Sequence, residues 1–237
     1  MTPGRVSVGM SLVIVGVLFV SAAGAAAAPV SDRPFRASPL QDYDVYVPTT
    51  YTDEEIYPLF VAVHGGVPGS PGDFEFWQSY AEREGFLLIS PRINGAALLE
   101  DSTYEALIGM INDASQRYSV DRDRIILSGC SWGSYCVYRF VKKYPLIAHA
   151  VAIFNTSQSQ ANIFEPPAES TGVRWYLASR RRDQQPDLAN RLERAGYQVS
   201  VQRKGSWDNP VTEKSAAEVM DMLREMRIQG VQQGMQR

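Results

Sequence analysis

The most chemically specific residues in this chain are Gly129-Cys130-Ser131-Trp132-Gly133, which fit G-x-S-x-G. A serine hydroxyl is a weak nucleophile. It becomes useful when a turn presents it, donors await the developing oxyanion and a base takes its proton. Arg124 to Ser128 (RIILS) reads as a strand and Gly133 to Lys143 as a helix, so Ser131 falls on a strand-to-helix turn. The two glycines let the backbone reverse sharply and let a neighbouring strand approach. Ser131 would then raise its hydroxyl over the sheet edge, with the Trp132 backbone N–H as one oxyanion donor. A second donor is expected from His64-Gly65-Gly66, which follows the apolar run Tyr57 to Val63 (YPLFVAV). A simple glycine turn is the alternative for that segment.

These residues need elements to hold them. Alternation makes Asp42 to Val47 a strand. Buried strands are expected at Tyr57 to Val63, Phe86 to Ser90, Ala148 to Phe154 and Val173 to Ala178, and a further strand at Gln198 to Gln202. Helices are expected at Phe74 to Glu84, with Phe76, Trp77, Tyr80 and Ala81 on one side, and at Thr103 to Arg117, with Leu107, Met110 and Ile111 inward. Further helices are expected near Pro186 to Ala195 and at Thr212 to Met226. Strands and helices alternate, which predicts an α/β fold: a mostly parallel central sheet with helices on both faces. Ligands in such sheets bind beyond the carboxyl ends of the strands, where both glycine-flanked segments fall.

The segments YDVYVP, VAVHGG, AEREGFLLISP, YSVDRDRIILSG and GCSWGSYC resemble, in order and spacing, the α/β-hydrolase superfamily. They are most similar to secreted esterases related to polyhydroxyalkanoate depolymerases and feruloyl esterases. The match is clear as far as Phe154 and weak afterwards. The resemblance implies a serine ester hydrolase with Ser131 as nucleophile and with an acid and then a histidine following in chain order.

That order breaks down after Ser131. The acid is expected after the strand ending at Ala178, where Asp183 stands, with Asp187 in reserve; a solvated loop carboxylate is the alternative for either. The histidine is expected after Gln202. The chain there reads Lys204-Gly205-Ser206-Trp207-Asp208-Asn209-Pro210, without histidine. The whole sequence has two histidines. His149 opens the strand running to Phe154, about 16 Å from its carboxyl end at ~3.3 Å per residue, and reads as a packing residue. His64 is at the correct edge, where it is expected to hold the loop through hydrogen bonds, with a role as replacement base as the alternative. Asp208 is a possible substitute base, a poor one because an ordinary aspartate titrates near pH ~3.9. Two readings follow: a serine ester hydrolase with a degenerate or non-standard triad, or a catalytically inactive ligand-binding or envelope interaction protein on the same scaffold.

Other features bear on ligands and place. Arg180-Arg181-Arg182 follows a strand and is a candidate contact for anionic groups, against the alternative of a solvated charge run. Asn155 to Thr171 is a long polar segment that could cover a pocket. Cys130 and Cys136 are the only thiols, and their positions on the turn and the helix argue against a disulfide. Two separated histidines and no C-x-x-C provide no metal site, and no cofactor is implied. The expected ligand is a small-molecule or polymeric ester. A net charge of -3 argues against nucleic acid as a partner.

Arg5, the apolar run Leu12 to Val20 and the small residues Ala22 to Ala28 read as a secretory signal peptide over 1–28. A linker is expected over 29–40, an α/β-hydrolase domain over 41–228 and a flexible tail over 229–237. The protein is therefore expected to be exported, periplasmic or secreted, unless the amino-terminal segment stays as a membrane anchor. With 237 residues, 45% of them hydrophobic, the chain can bury one sizeable core.

Overall fold

The computed structural model describes residues 43–65, 73–93, 97–154, 165–166, 172–178, 186–202 and 213–234. Seven strands form one sheet in the order β1-β3-β2-β4-β5-β6-β7. They are β1 (Tyr43–Tyr46), β2 (Tyr57–Val63), β3 (Leu87–Pro91), β4 (Val120–Cys130), β5 (Ala150–Phe154), β6 (Arg174–Ala178) and β7 (Gln198–Gln202). Only β1 runs antiparallel, paired with β3 at the edge. The helices are α1 (Asp73–Glu84), α2 (Asp101–Arg117), α3 (Trp132–Lys143), α4 (Pro186–Arg194) and α5 (Glu213–Gly234), with a one-turn 3-10 helix at Ala97–Leu99. Among the described residues no helix is long and apolar enough to cross a membrane.

The continuous apolar runs follow from burial on both faces. Side chains alternate along a strand, so odd and even residues serve different layers. Leu59, Val61 and Val63 join Leu127, Val151 and Leu177 in a core filled by α2, α3 and α4 through Leu107, Phe140 and Leu192. Phe60, Ala62, Ala152 and Tyr176 face the opposite layer, where Trp77 and Tyr80 of α1 and Val219 and Met220 of α5 cover them. Every residue of β2 is buried.

The expected α/β class and the order of elements hold, and the boundaries move. β4 starts at Val120 rather than Arg124, because Val120 and Asp121 already pair with Tyr57 and Pro58. The register then shifts between Pro58 and Leu59, and the irregular stretch is closed locally: Asp121 accepts from the Asp123 backbone N–H at 2.9 Å and pairs with Arg124 at 2.5 Å. A charged, bulged stretch of this kind carries no strand-like alternation. α5 continues past Met226 to Gly234, so part of the expected tail is helical. No proline interrupts that stretch.

The topology decides where chemistry can sit. β3 lies on one side of β2, and β4, β5, β6 and β7 follow on the other. The winding direction reverses at β2, which opens a crevice between the carboxyl ends of β2 and β4. Those ends are Val63 and Cys130, the residues just before His64 and Ser131.

Candidate active site

Ser131 sits between β4 and α3 with φ 53° and ψ -113°. It is the one non-glycine residue with positive φ among those described. Such a conformation costs a side-chain-bearing residue on the order of 1–3 kcal/mol and persists only where its surroundings hold it. Here the holding is visible. The Ser131 N–H donates to the Phe154 carbonyl of β5 at 2.9 Å, and the Ser131 carbonyl accepts from the Ser134 N–H at 3.1 Å.

The two glycines of the motif are required by contact. A Cβ on Gly129 would lie 2.5 Å from the Gly133 carbonyl oxygen and 2.7 Å from the Ser134 Cα. A Cβ on Gly133 would collide with the carbonyl oxygens of Val63 and His64 and lie 2.9 Å from the Val63 carbonyl carbon. The first glycine therefore lets α3 fold back over β4, and the second lets α3 press on the end of β2. Together they bring the Ser131 turn against the loop after β2. A Cβ placed on Gly65 would stand 3.8 Å from the Ser131 Cβ, in ordinary contact.

His64 is 3% exposed and has both ring nitrogens committed. The Ile93 N–H donates to Nε2 at 3.3 Å, which places the proton on Nδ1, and Nδ1 lies 2.5 Å from the Gly65 carbonyl oxygen. The ring therefore ties the loop after β2 to the end of β3. To take a proton from Ser131 it would have to give up one of these bonds. His149 lies just before β5, at the amino end of the sheet, where its backbone N–H donates to Ile125 at 2.8 Å. Burial lowers the pKa of its imidazole, and its Nδ1 is buried without a hydrogen-bond partner. His149 thus lies at the opposite end of the sheet from Ser131, and the His64 ring is committed to its own loop and to Ile93.

Trp132 opens α3 with 44% of its surface exposed, unusual for so large an apolar residue. Cys130 and Cys136 are not joined in a disulfide, and burial pushes the Cys136 thiol up to about 12. Gly66, Asp183, Asp208, Arg180, Arg181 and Arg182 lie outside the described residues, as do most of Asn155 to Thr171 and the expected leader and linker. The strands that lead to the two aspartates are in view. β6 ends at Ala178 and β7 at Gln202, in register with Phe154 and, through it, with Cys130. β7 is three strands from β4, so a group following it must reach back about 14 Å at ~4.8 Å per strand.

Several solved esterases share this fold. The chain superposes on a thermophilic esterase of Thermogutta terrifontis in its butyrate-bound form with a TM-score of 0.61, at 13% identity, covering 86% of this chain and 95% of that one. This is an α/β-hydrolase fold. A ferulic acid esterase shares the hydrolase fold with a TM-score of 0.58, at 15% identity, over 79% of this chain and 92% of that one. A thermostable esterase gives a TM-score of 0.57 at 17% identity, with 78% of this chain covered, and the chain spans 59% of its length. No protein-family model matches the sequence, and no curated protein matches it. Within the hydrolase fold the structure brings together Ser131, Trp132, His64 and Gly65. The sequence reading missed the groups that hold them: the Ile93 N–H, the Phe154 carbonyl and the Ser134 hydroxyl. Backbone groups leave no trace in side-chain patterns. The one available signal was a small polar residue, Ser134, in the first turn after the motif.

Proposed function

We propose that the protein is an exported serine carboxylic-ester hydrolase of the α/β-hydrolase fold, with Ser131 as nucleophile and a non-standard triad. The observation that carries this reading is Ser131 at φ 53° in a turn whose two glycines cannot bear a side chain. In the proposed reaction Ser131 Oγ attacks the ester carbonyl, and its proton passes to a base and from there to the departing alkoxide. The Trp132 N–H and an N–H of the His64 to Gly66 loop stabilise the oxyanion. Collapse of the tetrahedral species expels the alcohol, and water then releases the acid from the acyl-enzyme. Asp208 is the candidate substitute base for that proton, and Asp183 is the carboxylate that would orient a base. The sequence over Leu12 to Ala28 supports export, and the butyrate held by the Thermogutta terrifontis esterase supports a short acyl chain.

The missing imidazole sets the expected rate. Loss of the base from a serine triad costs on the order of 10⁶ in turnover, and the remaining site still gives roughly 10³ to 10⁴ over water. The protein should therefore cleave activated aryl esters slowly and alkyl esters far more slowly. The commitment of both His64 nitrogens favours a second reading, a ligand-binding protein that keeps the turn without the reaction. Hydrolysis of p-nitrophenyl butyrate by the protein and by Ser131→Ala separates the two. Turnover above background that disappears in the variant, with no inflection near an imidazole pKa of ~6.5, supports the hydrolase. Equal rates for the two proteins support the binding reading.

A further inference from the structure

Ser134 lies three residues past the proposed nucleophile and is 1% exposed. Its single hydroxyl proton is shared between two carbonyls, Gly129 one residue before the end of β4 and Phe154 at the end of β5, each 2.8 Å from Oγ. The Phe154 carbonyl is also the acceptor for the Ser131 N–H at 2.9 Å. The Ser134 N–H in turn donates to the Ser131 carbonyl at 3.1 Å. Ser134 therefore closes the turn from Gly129 back onto itself and fastens it to the neighbouring strand through the same oxygen that holds Ser131.

We propose that Ser134 is a positioning residue for Ser131: its buried hydroxyl clamps the ends of β4 and β5 and keeps Ser131 in its unfavourable backbone conformation. This deepens the nucleophile reading and rests on it for its catalytic consequence. Helix α3 does not need a polar side chain at this position, since an alanine is a better helix former. A serine in the first turn whose hydroxyl goes to two strand-end carbonyls is placed by the tertiary structure. With the hydroxyl removed, the Phe154 carbonyl keeps the Ser131 N–H alone, and the Gly129 carbonyl loses this donor. The strained Ser131 then has fewer restraints and can relax toward ordinary dihedrals. A shift of about 1 Å in a reacting atom can cost on the order of 10²-fold in rate.

The test compares wild type, Ser134→Ala and Ser134→Cys, the last keeping a weaker donor of similar size. Two quantities are read: backbone amide hydrogen exchange at residues 131–133, and the second-order rate of phosphonylation at Ser131 by a small alkyl fluorophosphonate. The alanine variant should exchange its Ser131 amide at least ~10-fold faster, with the Ile126 and Leu127 amides of β4 unchanged. It should label ~10- to 100-fold more slowly and lower kcat on p-nitrophenyl butyrate with KM within about twofold. The cysteine variant should fall between the two. Unchanged exchange at residue 131 together with an unchanged labelling rate overturns the proposal. Faster exchange spread equally over β4 also overturns it, because that is general loosening. If wild type neither labels nor turns over, the nucleophile reading fails and the catalytic role of Ser134 fails with it. The exchange comparison then still decides whether Ser134 clamps the turn.

Discussion

Gly133→Ala is the sharpest perturbation of the geometry that builds the site. The added methyl would fall on the carbonyl oxygens of Val63 and His64 and 2.9 Å from the Val63 carbonyl carbon. Carbon atoms in comfortable contact stand about 3.5–4.0 Å apart, so α3 and the end of β2 must part by at least ~0.6 Å. All three obstacles are backbone, so no side chain can swing away. Forced overpacking of this kind costs typically 1–3 kcal/mol, and the rigid surroundings put this site at the upper end, about 3 kcal/mol. Alanine returns up to ~1 kcal/mol as the better helix former, which leaves a net loss of about 2 kcal/mol. Gly85→Ala is the matched control. Gly85 has φ +70° with nothing within 4 Å of an added Cβ, so alanine there meets only the conformational cost, about 1–2 kcal/mol. Urea denaturation followed by tryptophan fluorescence gives both free energies. In ester hydrolysis the two should separate fully, with Gly133→Ala inactive and Gly85→Ala at wild-type rate. A Gly133→Ala protein as stable as wild type and fully active would refute the close-approach argument.

Three further outcomes follow from the structure. Ser131→Gly should be more stable than Ser131→Ala by about 1–2 kcal/mol in urea denaturation, since glycine accepts a positive φ and alanine does not; equal stabilities would deny the strain. Burial lowers the folded-state pKa of His149, so the unfolded chain binds more protons between the two values; its contribution to stability is fully present above about pH 6.5 and is lost as pH falls from there through the lowered folded-state value. His149→Gln should flatten the fall in denaturation midpoint below that pH, and an unchanged pH profile would contradict this. Cys136 is 0% exposed with its thiol pushed up to about 12. Iodoacetamide at pH 8 should therefore spare it in the native protein and alkylate it in urea, as read by peptide mass.

The fold was legible because its signals are local and physical. A strand buried on both faces must be apolar throughout, and YPLFVAV, FLLIS and VAIF announce β2, β3 and β5 in that way. The turn at Ser131 was legible because close approach and sharp reversal admit only glycine at positions 129 and 133. The irregular start of β4 was hidden, since VDRDR is charged and its pairing to Tyr57 and Pro58 rests on a backbone register shift. The supporting half of the site was hidden for a related reason. Ser131 is held by the Phe154 carbonyl and His64 by the Ile93 N–H, and any residue but a proline at position 93 would supply the same groups. The expectation that His64 acts through loop hydrogen bonds is met in the structure, because its loop carbonyl and the end of β3 both come within reach of one ring.

Whether Ser131 is the nucleophile is decided most directly by covalent labelling. The protein is incubated with an alkyl fluorophosphonate, its intact mass is measured and the adduct is mapped by peptide fragmentation. A single adduct on Ser131 is expected, absent in Ser131→Ala and abolished when wild type is unfolded in urea beforehand. An adduct on another residue, or no adduct on a folded wild-type protein, would contradict Ser131 as the nucleophile.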